Sequence, residues 1–136
     1  MIFRLPLLLL ILAALLAPRA ASAGQPAPAE PRYDPGATVE FDGIVTETRE
    51  VPRSSPMRGL HLTVDTGRES LDVYLAPMEF MKGFDFSFAK GDRINVTGSK
   101  VKFNGGAVVL AKEVRRQGQT VYLRDASGSP YWPPGS

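Results

Sequence analysis

The sequence lacks cysteine altogether, and its 136 residues include one histidine and one tryptophan. Without cysteine the chain has no disulfides, thiol nucleophiles, cysteine-ligated metals or cysteine-linked lipid anchor. A small domain of this kind must be stable through side-chain packing and backbone pairing alone.

The sequence also lacks a pronounced excess of either charge. It contains 16 Lys and Arg against 14 Asp and Glu, and two of the basic residues, Arg4 and Arg19, lie in the apolar N-terminal segment. Without that segment the two signs balance. A generic polyanion binder is therefore disfavoured, because such proteins normally carry a basic excess.

An apolar segment begins the sequence. Residues 1–23 combine one early positive charge, an apolar run over 5–17 and the small-x-small sequence ASA over 21–23. This pattern is typical of a secretory signal peptide, since the run is too short for a spanning helix. We expect a periplasmic or secreted protein with no membrane span after cleavage; an uncleaved anchor is the alternative.

The rest of the chain predicts one domain between two irregular ends. Residues 24–36 are rich in Pro and Ala without periodicity, which is typical of a flexible tether. Strand patterns occupy residues 37–132, where we predict the folded domain, and residues 133–136 form a tail.

Alternating apolar and polar residues indicate five or six short strands. The patterns are TVEFDGIVTETREV (38–51), GLHLTVDT (59–66), ESLDVYLA (69–76), DRINVTGS (92–99), AVVLAKEV (107–114) and TVYLRD (120–125). Gly43 in the first of them suggests a sharp bend. Between the third and fourth, Phe80, Met81 and Phe84 fall at helical spacing after a proline. We predict a mainly β, five- to six-stranded Greek-key barrel (an OB-fold) with one short helix between strands 3 and 4; an open β-sandwich is the alternative.

The stretch GDRINVTGSKVKFNGG (91–106) changes its alternation midway. Its first apolar residues occupy even positions, whereas Val101 and Phe103 occupy odd positions. A shift of one residue turns every following side chain to the other face of a sheet. We therefore expect an inserted residue near 98–100, a β-bulge that returns Val101 and Phe103 to the core.

Several motifs together resemble a known group of proteins. They are GLHLTV (59–64), LAP (75–77), KGDRINVTGSKVKFNG (90–105) and VYLRDASGSPYW (121–132). The block 39–132 resembles the exported bacterial OB-fold proteins, a group that includes the periplasmic stress-tolerance (BOF) family. The resemblance implies an OB barrel in the cell envelope and defines no activity.

Residues suited to catalysis are sparse. The sequence has no GxSxG, HExxH or phosphate-cradling glycine loop, and its single histidine, His61, is predicted on the outer face of a strand. Glu40 and Asp42 form a carboxylate pair on a face predicted to be solvated. We therefore expect no enzyme and no cofactor, but a non-catalytic binding module of the envelope for a protein, a glycan or a small anionic ligand.

The candidate ligand-binding residues lie on the loop 51–58 and on outward strand positions. They are Arg53, Arg58, His61, Tyr74, Lys100 and Lys102. For the two lysines an ordinary solvated strand face is the favoured interpretation, because charged side chains normally stay exposed.

Two other functions stay open at this point. A soft-metal module would hold Cu(I) or Ag(I) through Met57, His61, Met78 and Met81, since thioethers select soft metals; packing is the commoner role of methionine. A single-stranded nucleic-acid-binding OB-fold is disfavoured, because the outward positions of strands 2 and 3 offer two acids and a single aromatic ring.

The C-terminal Tyr131-Trp132 pair is predicted to cap the barrel. Contact with a partner through exposed rings is the alternative.

Overall fold

The computed structural model describes residues 30–136, so the predicted signal peptide and residues 24–29 of the predicted tether lie outside the described residues. This part of the chain forms six strands and one short α-helix, preceded by a single 3-10 turn (Pro35–Ala37). They are β1 (Thr38–Val51), β2 (Gly59–Asp65), β3 (Ser70–Ala76), α1 (Met78–Met81), β4 (Arg93–Phe103), β5 (Gly106–Arg116) and β6 (Gln119–Tyr122). Over the same range, no helix has the length and apolar character that crossing a bilayer requires.

Five of the strands close into a barrel. Antiparallel pairing runs in the order β3-β2-β1-β4-β5, and a parallel pairing of β3 with β5 joins the two ends. β6 extends the sheet beyond β5, and α1 lies between β3 and β4 along the chain. The predicted mainly β, five- to six-stranded Greek-key barrel with a helix between strands 3 and 4 is confirmed.

β1 is long enough to pair with two neighbours. Its first half pairs with β4 and its second half with β2. Gly43 lies where the partner changes: a Cβ there would lie 2.4 Å from Val64 Cγ1 and 2.8 Å from the Asp65 carbonyl oxygen. Only glycine permits so close an approach of two strands, which is the role that a glycine inside a strand commonly has.

Apolar side chains form two clusters on opposite faces of the sheet. The larger fills the barrel and includes Val109 and Ala111 of β5. The second, here called the outer cluster, has Met57, Tyr74, Val108 and Leu110 as its buried members and Tyr33, Val101, Phe103 and Trp132 as its partly buried members. Since neighbouring residues of β5 alternate between the clusters, this strand is covered on both sides.

The change of alternation in 91–106 has a different cause from the predicted one. Val101 and Phe103 pack in the outer cluster instead of the barrel interior. The register irregularity lies in β5, where Lys112 is the extra residue opposite Thr97 and Gly98. The prediction that a bulge in β4 returns Val101 and Phe103 to the core was wrong, because the outer face has an apolar cluster of its own.

Two segments outside the barrel cover the outer cluster. In the first, the Asp34 backbone N–H donates to Ser99 Oγ (3.0 Å), and this hydroxyl donates in turn to the Asp34 carbonyl oxygen (2.8 Å). The second is the C-terminal segment after β6, where the Tyr131 N–H donates to the Leu123 carbonyl oxygen (3.0 Å). In the described part of the predicted tether, the chain therefore contacts the barrel.

Candidate functional site

A hollow of about 290 Å³ opens between the two covering segments and the outer face of β3 and β5. Its walls include Tyr33, Met57, Tyr74, Leu110, Arg124 and Trp132. We call it the Arg124 pocket, because the guanidinium of this arginine lies in its wall beside two aromatic rings.

The β5 bulge positions Arg124. An extra residue in a strand leaves its backbone groups outside the regular ladder, and the Lys112 carbonyl oxygen accepts hydrogen bonds from both Leu123 N–H (2.8 Å) and Arg124 N–H (3.2 Å). At the other end of the side chain, Arg124 Nη1 donates to the Gly128 carbonyl oxygen (2.9 Å). Backbone and guanidinium are thus both held in place.

The Arg124 guanidinium lies among aromatic rings without a carboxylate partner. Its central carbon is 5.1 Å from the Trp132 ring centroid and 5.8 Å from that of Tyr33, distances suited to cation–π attraction. Within residues 30–136, the buried Nε has no hydrogen-bond partner, and no acid forms an ion pair with this arginine. Burial lowers the pKa of the guanidinium, but an arginine keeps its charge at neutral pH.

The acidic neighbour in sequence, Asp125, is occupied by its own turn. Its Oδ1 accepts hydrogen bonds from the Ser127 hydroxyl (2.8 Å), the Ser127 N–H (3.0 Å) and the Ser129 N–H (2.9 Å). These bonds, the Ser127 hydroxyl foremost, hold the pKa of the carboxyl below its usual value. The turn is therefore well defined, and Asp125 does not neutralise Arg124.

Gly128 brings the N-terminal segment onto this turn. It has φ of +94°, and a Cβ at this position would lie 2.2 Å from Tyr33 Cδ1. The Tyr33 ring thus packs directly on the glycine backbone, which forms one wall of the Arg124 pocket.

Tyr74 forms the floor of the pocket and is neutral. The residue is buried, and its hydroxyl donates to the Arg58 carbonyl oxygen (3.1 Å). Burial, followed by the Glu30 carboxylate, raises the pKa of Tyr74 to about 12. The Trp132 ring meets the Tyr74 ring edge-on at a centroid distance of 6.4 Å.

His61 was predicted on the outer face of its strand as a ligand-binding residue; the structure places it on that face but buries it, with 3% of the residue exposed. Nε2 donates to the Met57 carbonyl oxygen (2.8 Å), and Nδ1 is 2.9 Å from Asp72 Oδ1. The outer cluster covers this face of β2, which is why the prediction failed. Because both ring nitrogens are engaged, His61 has no free nitrogen for a ligand.

Of the other predicted ligand residues, Arg58 is the one that borders the site. Its Nε donates to the Ser136 carbonyl oxygen, and it lines an adjoining hollow of about 420 Å³ that shares Tyr74 and Trp132 with the Arg124 pocket.

The remaining predicted residues lie elsewhere. Arg53 pairs with Glu79 of α1 at 2.8 Å, Lys100 lies 3.5 Å from Glu69, and Lys102 is exposed on β4.

The structure separates the four residues of the soft-metal alternative. Met57 belongs to the outer cluster, whereas Met81 packs inside the barrel. Met78 lies half-buried on α1, and His61 has both ring nitrogens hydrogen-bonded. Within residues 30–136, no three His, Asp or Glu side chains are grouped so as to hold a metal ion.

A larger hollow of about 670 Å³ lies across β1, β4 and the end of β5. Arg93 and Arg115 line it together with Asp42 and Asp65, so both signs of charge are present. Its charged side chains are exposed and solvated, which makes the smaller Arg124 pocket the better candidate site.

Sequence reasoning missed Tyr33 and Arg124 as site residues. Tyr33 lies in the segment predicted to be a tether, and Arg124 lies near the end of a predicted strand. The available signal was the presence of isolated aromatic residues, Tyr33 and Trp132, in segments without strand periodicity.

The model of the MamS/MamX magnetosome protein family matches residues 37–121 of the chain. This range contains all five barrel strands, whereas Tyr33, Arg124 and Trp132 lie outside it. The chain matches no curated protein sequence. The family match overturns the predicted resemblance to the periplasmic stress-tolerance (BOF) proteins, which rested on motifs that describe OB strands and turns in general.

Proposed function

The chain belongs to the MamS/MamX magnetosome protein family, and from this premise we propose that it is a non-catalytic, exported binding module of the magnetosome. Its Arg124 pocket holds a small anionic ligand. The family description supports the association with the magnetosome, and the pattern of residues 1–23 supports export to the periplasm or beyond.

The ligand class rests on one observation. Among the described residues, the Arg124 guanidinium has no carboxylate partner and its Nε has no hydrogen-bond acceptor. A buried N–H without an acceptor costs about 1–3 kcal/mol, and the described residues leave Nε in that condition. An anion that enters the pocket supplies the opposite charge, and it supplies the missing acceptor once a side-chain movement uncovers Nε, whose surface is closed in the free protein. Affinity therefore comes from relieving a cost that the free protein carries.

Binding without catalysis is supported by the state of the titratable groups around the pocket. Tyr74 is held neutral by burial, and the two ring nitrogens of His61 are hydrogen-bonded to Met57 and Asp72. Neither group is placed as a general base with a free position facing the pocket.

The single tryptophan provides the test, because Trp132 gives one indole N–H signal in an NMR spectrum. We expect acetate, inorganic phosphate or benzoate, titrated at constant ionic strength, to shift this signal saturably in the wild type. The shift should be lost in Arg124→Met and retained in Arg115→Met, an exposed arginine on the larger hollow. No saturable shift with any of the three anions, or an equal shift in Arg124→Met, would contradict the proposed ligand class.

Cell fractionation tests the location separately. We expect the protein in purified magnetosomes, with an N-terminus that begins after residue 23. Full-length protein confined to the cytosol would contradict export.

A further inference from the structure

We propose that the ligand of the Arg124 pocket is an organic monocarboxylate with a planar, apolar body, such as an aromatic acid, and not an inorganic anion. This inference rests on the proposed function, because it specifies the ligand class of the same site. Charge, wall chemistry and size each point to it.

The charges at the pocket match a single negative charge. Arg124 is the partly buried cation in its wall, and Arg32 and Glu30, which are exposed and opposite in charge, also line it. The Glu30 carboxylate acts on Arg124 without forming an ion pair. A dianion such as phosphate would meet Glu30 and would lose more hydration than one guanidinium returns. A monocarboxylate avoids both costs.

The remaining walls favour a planar apolar group. The Tyr33 and Trp132 rings flank the guanidinium, and Met57 and Leu110 lie behind them. Aromatic rings pack well in offset or edge-to-face contact with other rings, and a methionine thioether also packs well against a ring edge. A fully hydrated ion has no comparable contact with such walls.

The guanidinium is suited to the carboxylate itself. Arg124 Nη1 is engaged by the Gly128 carbonyl oxygen, whereas Nε has no partner. The planar arrangement of the remaining N–H groups matches the two oxygens of a carboxylate, the pairing for which arginine is better suited than lysine.

The size of the pocket limits the ligand to about one ring and its carboxylate. Its volume of about 290 Å³ lies at the lower end of ligand pockets, which measure roughly 300–1,000 Å³. The adjoining hollow of about 420 Å³, which shares Tyr74 and Trp132, leaves room for a substituent that extends past the tryptophan.

Isothermal titration calorimetry with four probes tests this inference. The probes are benzoate, the non-planar cyclohexanecarboxylate, the neutral benzamide and inorganic phosphate. We expect benzoate to bind most tightly. Benzamide should bind at least about tenfold more weakly, since a hydrogen bond to a charged group contributes roughly 1.5–3 kcal/mol.

Three variants connect this affinity to the pocket. Arg124→Met should weaken benzoate binding roughly a hundredfold, and Arg124→Lys roughly tenfold, because lysine keeps the charge but not the planar fork. Glu30→Gln should strengthen it severalfold, because an exposed negative charge at the mouth is removed. Arg115→Met serves as the control without effect, and thermal unfolding verifies that each variant folds.

The outcomes distinguish this inference from the proposed function. Arg124-dependent binding of phosphate as tight as that of benzoate would overturn the inference and leave the proposed function intact. Equal affinity for cyclohexanecarboxylate would overturn the planar body, and unchanged affinity in Glu30→Gln would overturn the charge argument. Binding of none of the probes would overturn both proposals.

Discussion

At the scale of single residues, burial shifts the pKa values of Tyr74 and Arg124 in opposite directions. It raises the pKa of the phenol to about 12 and lowers the pKa of the guanidinium, because both charged forms lose hydration in the same apolar surroundings. The phenol stays neutral and the guanidinium stays charged at neutral pH. Of these two buried groups, only Arg124 is therefore charged.

Tyr74 makes folding sensitive to alkaline pH. Its pKa is raised from 10.0 to about 12, so its contribution to stability is complete below pH 10 and is lost as the pH rises through about 12. We expect the free energy of unfolding to fall more steeply over this interval in the wild type than in Tyr74→Phe. Urea denaturation at a series of pH values measures this free energy. If it fell equally with pH in the two proteins, the burial of Tyr74 would be contradicted.

His61 is predicted to be a structural residue of the outer face. Its ring joins the Met57 carbonyl oxygen to Asp72, and His61→Ala would leave the carbonyl oxygen without its donor and Asp72 without this contact. We expect a loss of about 2 kcal/mol or more in the free energy of unfolding, measured by urea denaturation. Thr63→Ala, on the same face of β2 and with a longer hydrogen bond of 3.4 Å, should cost clearly less.

At the scale of elements, the turn after Arg124 has the largest influence on the site. Asp125 accepts three hydrogen bonds within it, and Gly128 allows the Tyr33 ring to pack against its backbone. The bulge at Lys112 fixes the start of the same segment. The pocket therefore depends on a strand defect and a glycine more than on regular secondary structure.

A pair of glycine substitutions separates packing from backbone strain. Gly128 and Gly118 have φ of +94° and +83°, but an added Cβ would meet the Tyr33 ring at 2.2 Å only at Gly128, with nothing within 4 Å at Gly118. In both alanine variants the free energy of unfolding should fall by roughly 1–2 kcal/mol, because alanine is strained in the left-handed conformation. Gly128→Ala should lose more and should also shift the Trp132 indole signal; equal effects of the two substitutions would argue against the Tyr33 contact.

The strands and the helix could be predicted from the sequence, but the bulge could not. Alternation, proline and glycine are local signals, and they located all six strands and α1. The odd positions of Val101 and Phe103 were assigned to a bulge in β4 that would return them to the side of Val96, whereas they lie on the opposite face. A periodicity pattern shows that a face is apolar and does not show what covers it.

At the scale of the whole molecule, the barrel has one apolar cluster in its interior and a second on the outer face of β3, β4 and β5. The outer cluster exists because residues 30–37 and the C-terminal segment lie over β3, β4 and β5. The burial of His61 and Tyr74 at outward strand positions was therefore not predicted, and neither were Arg124 and Tyr33 as site residues. The contacts of Tyr33 with Arg124 and Gly128 join residues more than 90 positions apart, and a local pattern contains no information on such pairs.

Ser99 tests whether the N-terminal segment is fastened to the barrel. Its buried hydroxyl forms both hydrogen bonds to the Asp34 backbone. Ser99→Ala should lower the free energy of unfolding by about 1–2 kcal/mol. It should also speed amide hydrogen exchange in residues 30–37. The exposed Ser70→Ala is the matched control; unchanged exchange in Ser99→Ala would show that the segment is held by other contacts.

The NMR signal of the Arg124 side-chain Nε–H reports most directly on anion binding in the pocket, since this nitrogen is buried and has no acceptor among residues 30–136. Its absence in Arg124→Lys assigns it. With saturating benzoate we expect a downfield shift and slower solvent exchange, and at the same concentration of the more weakly bound benzamide a smaller change. An unaltered Nε–H signal in a protein that binds benzoate would place the ligand elsewhere and contradict the account.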